Sequence, residues 1–190
     1  MSKTYEKDLI KQLGFSPKEN CSGVFLKKYS NNYIIEIDFI NEEINYGKDI
    51  KYDSRITQNF SQSENFVIFE CVDRLIEKGY KPKNIILEKT YPSGHGTSGR
   101  LDICVTRDDG SEYLLIECKT YGKEFDKEFT KTKKDGGQLF TYFKFSNKAD
   151  VIMLYSSKLK GNEVLYRNEI VKIEDNYRNG DVHDFSMSTS

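Results

Sequence analysis

The sequence predicts an α/β fold, a mixed central sheet flanked by helices, with an N-terminal β-hairpin extension. Two observations carry this. Apolar residues at helical spacing (Phe66, Val67, Phe69, Val72, Leu75, Ile76) are followed by three strand-like runs, a second helical run and a short apolar strand. Between the second and third strand-like runs, Asp108-Asp109-Gly110 is a hairpin signal, which makes those two strands antiparallel neighbours.

Residues 3 to 13 read as a short amphipathic helix with Leu9, Ile10 and Leu13 on one side and Gly14 as its stop, an accessory element. Around the turn-forming Ser30-Asn31-Asn32 lie two β-rich runs, and in the second Ile35, Ile37 and Phe39 alternate with Glu36 and Asp38; this is a hairpin. The helix that follows has Ser61 or Ser63 as its cap and Gly79 as its end. Strands are expected at 84 to 91, 99 to 107 and 112 to 119, and a helix at 123 to 146, weakened at Gly136-Gly137. A buried strand spans 150 to 157, and Lys160-Gly161-Asn162 introduces a hairpin from Glu163 to Val171 before a frayed end. The division expected is an extension (1–60), a core (61–157) and a C-terminal hairpin with tail (158–190).

Length and composition suit one soluble domain: 37% hydrophobic residues and 25 aromatics (13 Tyr, 12 Phe) supply a core and exclude wholesale disorder. No run reaches the ~20 apolar residues of a membrane span, and the first residues lack the apolar core of a secretory signal. The expected setting is therefore the cytoplasm, with no membrane partner. Cys21, Cys71, Cys104 and Cys118 lack the paired spacing of a zinc site and read as reduced thiols. A net charge of −1 neither advertises nor excludes a nucleic-acid partner. Lys127, Lys131, Lys133 and Lys134 are diluted by neighbouring acids and read as a solvated helix face.

Chemistry concentrates in the antiparallel pair. Side chains alternate along a strand, so Glu117 and Lys119 of LLIECKT share one face. On the neighbouring strand Asp102 interrupts the apolar run GRLDICV. Charges in such places need partners or a metal. Two carboxylates and the Cys118 backbone carbonyl form the all-oxygen donor set that Mg²⁺ prefers, with Mn²⁺ as substitute. A lysine beside them could orient or help deprotonate an attacking water.

Asp102 followed fifteen residues later by Glu117-Cys118-Lys119 resembles the motif of PD-(D/E)xK nucleases, and the helix, three strands, helix, strand order resembles their restriction-endonuclease-like αβββαβ core. Gln138 and Tyr142, ends of the only Q-x-x-x-Y in the chain, resemble the additional motif of RecB-like nucleases and type I restriction subunits, where it supports the active site and DNA contact. The resemblance covers residues 61 to 157. It implies a Mg²⁺-dependent DNA endonuclease, the cleavage module of a restriction-modification system, partnered by helicase or methyltransferase and specificity parts, so that the chain is a fragment of a larger protein. It also implies an acidic metal ligand on the first core helix. Glu64 matches best and Glu70 is the fallback, while a favourable charge at a helix N-terminus explains Glu64 equally well.

Bland alternatives stand beside these. Asp102, Glu117 and Lys119 alone would suit a salt-bridge cluster on an exposed sheet face. Gln138 and Tyr142 alone would suit the polar edge of an amphipathic helix. A second triplet, Asp49-Ile50-Lys51 downstream of Asp38, mimics the motif without its helical context. The segment Ser93 to Gly99 is neither a phosphate loop nor part of a triad and reads as a loop, from which His95 or Arg100 could touch a phosphate. Tyr91, Tyr113 and Phe143 read as packing residues. An exonuclease or junction resolvase of the same fold, and an inactive nucleic-acid-binding module, remain alternatives.

Overall fold

The structure, a computed structural model, describes residues 3–30, 32–91, 99–135, 142, 146 and 148–173. The chain is α/β, with a mixed sheet and a smaller antiparallel sheet flanked by helices. It runs α1 (Lys3–Gln12), β1 (Ser16–Pro17), β2 (Val24–Lys28), β3 (Ile34–Asp38), β4 (Glu43–Asn45), β5 (Lys51–Tyr52), α2 (Glu64–Glu77), β6 (Ile85–Tyr91), β7 (Gly99–Thr106), β8 (Glu112–Cys118), α3 (Lys123–Asp135), β9 (Val151–Lys160) and β10 (Glu163–Lys172). From α2 to β9 the order is helix, three strands, helix, strand, as the hydrophobic periodicity predicts.

Strands β1 to β4 form an antiparallel meander, so the expected hairpin is its middle pair, β2 with β3. Six strands form the larger sheet in the order β10-β9-β8-β7-β6-β5. The β7–β8 and β6–β7 pairs are antiparallel and β8–β9 is parallel. Both expected boundaries fall inside this architecture: β5, before residue 61, pairs parallel with β6, and position 157 lies within β9. The N-terminal residues are not an accessory, because Leu9 and Ile10 of α1 and Ile35, Ile37, Ile44 and Tyr46 of the small sheet share one buried cluster with α2 and one face of the large sheet. The opposite face packs Leu115, Ile152 and Leu154 against Phe125 of α3 and Tyr142.

Ser63 precedes α2 but makes no side-chain cap; its φ of −63° and ψ of −26° are already helical, which turns the hydroxyl away from the amides it would serve. Asn65 anchors the helix start instead, its Nδ2 donating to the carbonyls of Ile56 and Asn59 at 2.9 Å. Tyr142 and Ser146 are helical, in keeping with the expected helix to 146, whereas the Gly136-Gly137 break, Gln138 and Phe143 lie outside the described residues, as does His95. Among the described residues no helix is long and apolar enough to cross a membrane, and all four cysteines are free, three of them buried.

Phe69 is fully buried where the layers meet, with ring centroids 5.1 Å from Phe15 and 6.3 Å from Tyr46. Phe69→Ala should lower unfolding stability by about 3–5 kcal/mol. Far-UV and tyrosine signals should shift together in urea, because both sheets lean on this ring; two separate transitions would show that the small sheet folds alone.

Candidate functional site

The site lies where β8 ends beside the start of β7. Ile103 pairs with Ile116 and Cys104 with Leu115, and the same register carried one step further sets Asp102 opposite Glu117. Asp102 is 9% exposed and Glu117 1%, so the exposed-face salt-bridge explanation does not describe them. The Cys118 backbone N–H donates to Asp102 Oδ2 at 2.7 Å. Lys119 Nζ lies 2.6 Å from Glu117 Oε1 and 3.7 Å from Glu64 Oε2. Its backbone N–H is tied to the Tyr155 carbonyl of β9 at 2.9 Å, which fixes the root of the side chain.

The sequence-expected residues therefore meet: Asp102, Glu117 and Lys119 from the paired strands, and Glu64 from the first turn of α2. Glu70 does not join them. It is buried against Arg74 at 2.6 Å and accepts from the Tyr155 hydroxyl at 2.5 Å, a structural pair that secures α2 to β9. The mimic motif is dispersed over the small sheet, the loop after it and β5 of the large sheet. Asp38 accepts from the Ile40 and Asn41 amides in a turn, Asp49 is exposed and Ile50 is core.

Tyr142 reaches the site through β7. Its hydroxyl donates to the Arg100 carbonyl at 2.6 Å, and its ring lies so close to Gly99 that a Cβ there would sit 2.7 Å from the ring. Tyr142 thus fixes the strand two residues before Asp102. The lysines of α3 remain on a solvated face: Lys131 pairs with Glu128 at 3.7 Å and Lys133 covers the Phe129 ring. Tyr91 is core, its hydroxyl 3.0 Å from Glu112, and Tyr113 packs against the core from a partly buried position.

Sequence reasoning missed one carboxylate. Leu87 pairs with Ile103 and Lys89 with Leu101, which places Glu88 beside Asp102 on the opposite flank from Glu117. Glu88 is 2% exposed, carries a left-handed φ of +55°, and forms an ion pair with Arg100 Nε. The signal was present, since one acid interrupts the apolar run IILEKTY. Its alignment with Asp102 was not readable across the loop between β6 and β7.

Electrostatics follow from crowding and burial. Desolvation is the main cause that raises Asp102 from its ordinary 3.8 to about 7; Lys119 and the Cys118 N–H oppose the rise while Glu64 and Glu88 add to it. Glu117 is pushed well up by burial and by Asp102, and Glu64 is raised mainly by burial, against the pull of Lys119. Lys119 is held above its usual range because Glu117, Asp102 and Glu64 outweigh its own desolvation, so it stands as an ammonium.

Asp102, Glu117 and Glu64 outnumber the single Lys119 ammonium, and Glu117 Oε2 is buried without a hydrogen-bond partner among the described residues. All-oxygen donors with surplus negative charge suit a hard divalent cation. As the side chains stand, no group of three or more His, Cys, Asp or Glu among the described residues is arranged to hold one. Lys119 lies between Glu117 and Glu64, so the fit requires Glu64 and Lys119 to swing apart, which their partly exposed side chains permit.

No family model matches this sequence, and no curated protein matches it. A solved structure described as "Crystal structure of SSO0001" is similar at 16% identity and a TM-score of 0.31, over 64% of this chain and 57% of that one. The likeness spans just over half of that protein's length, and at such a score it carries no argument about fold or function.

A buried acid whose folded pKa is raised stabilises most below its unfolded value and loses that contribution as pH climbs through the folded one. Between pH 4 and pH 7 Asp102 should therefore cost the fold on the order of a few kcal/mol, at about 1.4 kcal/mol for each pKa unit. Asp102→Asn should flatten the fall in urea midpoint between pH 4 and pH 7. Identical pH profiles for the two proteins would contradict the burial of this carboxylate.

Proposed function

We propose that the chain is a Mg²⁺-dependent DNA endonuclease domain of the PD-(D/E)xK type, hydrolysing phosphodiester bonds. The observation that carries the reading is the meeting of Asp102, Glu117 and Lys119, from two paired strands, in one buried cluster with Glu64. The αβββαβ order supports it, because a restriction-endonuclease-like core places its acids on strands in that sequence of elements. The contact of Tyr142 with Arg100 gives the Q-x-x-x-Y motif a way to support the strand of Asp102.

Asp102, Glu117, Glu64 and the Cys118 carbonyl would hold the cation, Mn²⁺ serving in place of Mg²⁺. When bound, that ion supplies charge neutralisation and a water more acidic than bulk water. Lys119 enters as a proton-holding group rather than a base. Its ammonium donates to an oxygen of the attacking water or the phosphate, orienting it for in-line attack and offsetting charge that builds as the phosphorus–oxygen bond to the leaving group breaks. Burial of Glu117 keeps bulk water away from these contacts and strengthens them.

A cleavage module that contacts mainly phosphates obtains sequence specificity from elsewhere. Helicase or methyltransferase and specificity parts of a larger restriction-modification protein are the partners this reading implies, in the cytoplasm where DNA is met.

Incubated with plasmid DNA, the protein should nick or linearise it when Mg²⁺ or Mn²⁺ is added and not in chelator. Asp102→Ala and Glu117→Ala should abolish cleavage while keeping the fold, and Lys119→Ala should slow it roughly 10²- to 10⁴-fold. Gln138→Ala should weaken it less. Asp49→Ala should cut like the wild type; a loss there equal to that of Glu117→Ala would overturn the site assignment.

A further inference from the structure

The ion pair between Glu88 and Arg100 borders the cluster and is not used by the proposed chemistry. Alternation along β7 sets Arg100 on the side of Asp102, two residues nearer the open end of the strand. Its side chain is 43% exposed whereas its partner Glu88 is 2% exposed, so the guanidinium spans from the buried acids to solvent. Glu88 approaches it most closely at Nε, and among the described residues its two terminal nitrogens make no hydrogen bond. Two residues, Glu88 and Tyr142, hold this arginine in place. Glu88 fixes its Nε, Tyr142 fixes its carbonyl at 2.6 Å, and Gly99 before it is the only residue type that fits beneath the Tyr142 ring.

Glu88 itself is strained. A glutamate at φ +55° occupies the left-handed region that L-residues with a Cβ avoid, and here it also interrupts the pairing of β6 with β7. Strain of this kind persists where the surroundings over-determine it. The turned backbone carries the Glu88 carboxylate to Arg100 and Asp102, and a glycine would satisfy the backbone better while losing the carboxylate.

We propose that Arg100 binds a phosphate of the DNA strand entering the site and that Glu88 is its positioning residue. An arginine pinned at Nε presents its two terminal N–H₂ groups as a preoriented fork, the geometry that suits two phosphate oxygens. Held two residues from Asp102, that fork addresses the scissile phosphate or its immediate neighbour, so one helix, through Tyr142, and one strained strand residue set where the substrate lies. The inference rests on the nuclease reading for the identity of the substrate, but its evidence is anion binding and not cleavage.

The test uses the full chain and a short labelled DNA duplex in Ca²⁺, read by fluorescence anisotropy across a salt series. Arg100→Ala should weaken binding by about tenfold or more and reduce the slope of log affinity against log salt by about one. Arg100→Lys should keep the slope while losing part of the affinity, because the charge stays and the fork does not. Glu88→Gly should raise the melting temperature, since backbone strain and a buried acid are both removed, yet weaken DNA binding several-fold; a purely structural Glu88 would lower the melting temperature and leave the slope unchanged. Wild-type slope and affinity in Arg100→Ala would overturn the inference alone. A lost slope with no Mg²⁺-dependent cleavage by the wild type would overturn the nuclease reading and leave the phosphate site standing. Absence of any DNA binding at low salt would overturn both.

Discussion

Two carboxylates side by side on paired strands, both shielded from water, repel each other, and the surrounding structure is arranged around that repulsion. Asp102 and Glu117 do not neutralise one another; the Cys118 amide and the Lys119 ammonium each take one of them. The charges still do not balance, because Glu64 adds a third acid within 3.7 Å of the same lysine. Burial without balance pushes Asp102 and Glu117 toward their protonated forms. A site selected only for stability would replace such a cluster with apolar side chains, which commonly costs nothing or stabilises. Retaining it makes physical sense where a cation and a phosphodiester complete the electrostatics.

Holding like charges together requires a stiff frame on both sides of the strands that carry them. The face of the sheet bearing Ile103, Ile116 and Cys118 is covered by α2 and, behind it, by the small N-terminal sheet; Phe125 of α3 and Tyr142 cover the other. The buried Glu70–Arg74–Tyr155 set ties α2 to β9 while Lys119 hangs from the Tyr155 carbonyl, so Lys119 and the helix carrying Glu64 are referenced to the same residue of the sheet. This coupling explains why the N-terminal residues are part of the core. Removing them would uncover the side of α2 that keeps Glu64 in reach of Lys119.

Much of this was legible in the residues. Strand alternation alone placed Glu117 and Lys119 on one face, and the Asp108-Asp109-Gly110 turn made the strand of Asp102 their neighbour. What failed to read out were features set by tertiary register. Glu88 stands beside Asp102 because β6 pairs with β7 in one register of several that the loop between them allows, and no local pattern selects it. The two residues of β5 are too short to signal a strand, and β4 has only three, so four strands and a shared core looked like one hairpin and an appendage. Ser63 met the compositional rule for a cap and does not cap, since hydrogen bonds from the Asn65 side chain to the preceding loop settle the helix start first.

The two cations of the site have different tasks, and burial separates them. Lys119 sits deep, 15% exposed, and its charge is shared within the protein among three acids, so on the proposed function it would turn to an incoming oxygen only as those acids take another partner. Arg100 is nearly half exposed and, among the described residues, is paired with one acid, whose closest approach is to Nε. On the proposed function, an outer cation that captures and an inner cation that answers to the state of the carboxylates would impose an order, with the phosphate positioned first and the buried charges rearranging around it afterwards. Glu88 would then belong to the first step and Glu64 to the second. One acid sits on a strained strand backbone, and the other sits on the first turn of a helix with its side chain partly exposed.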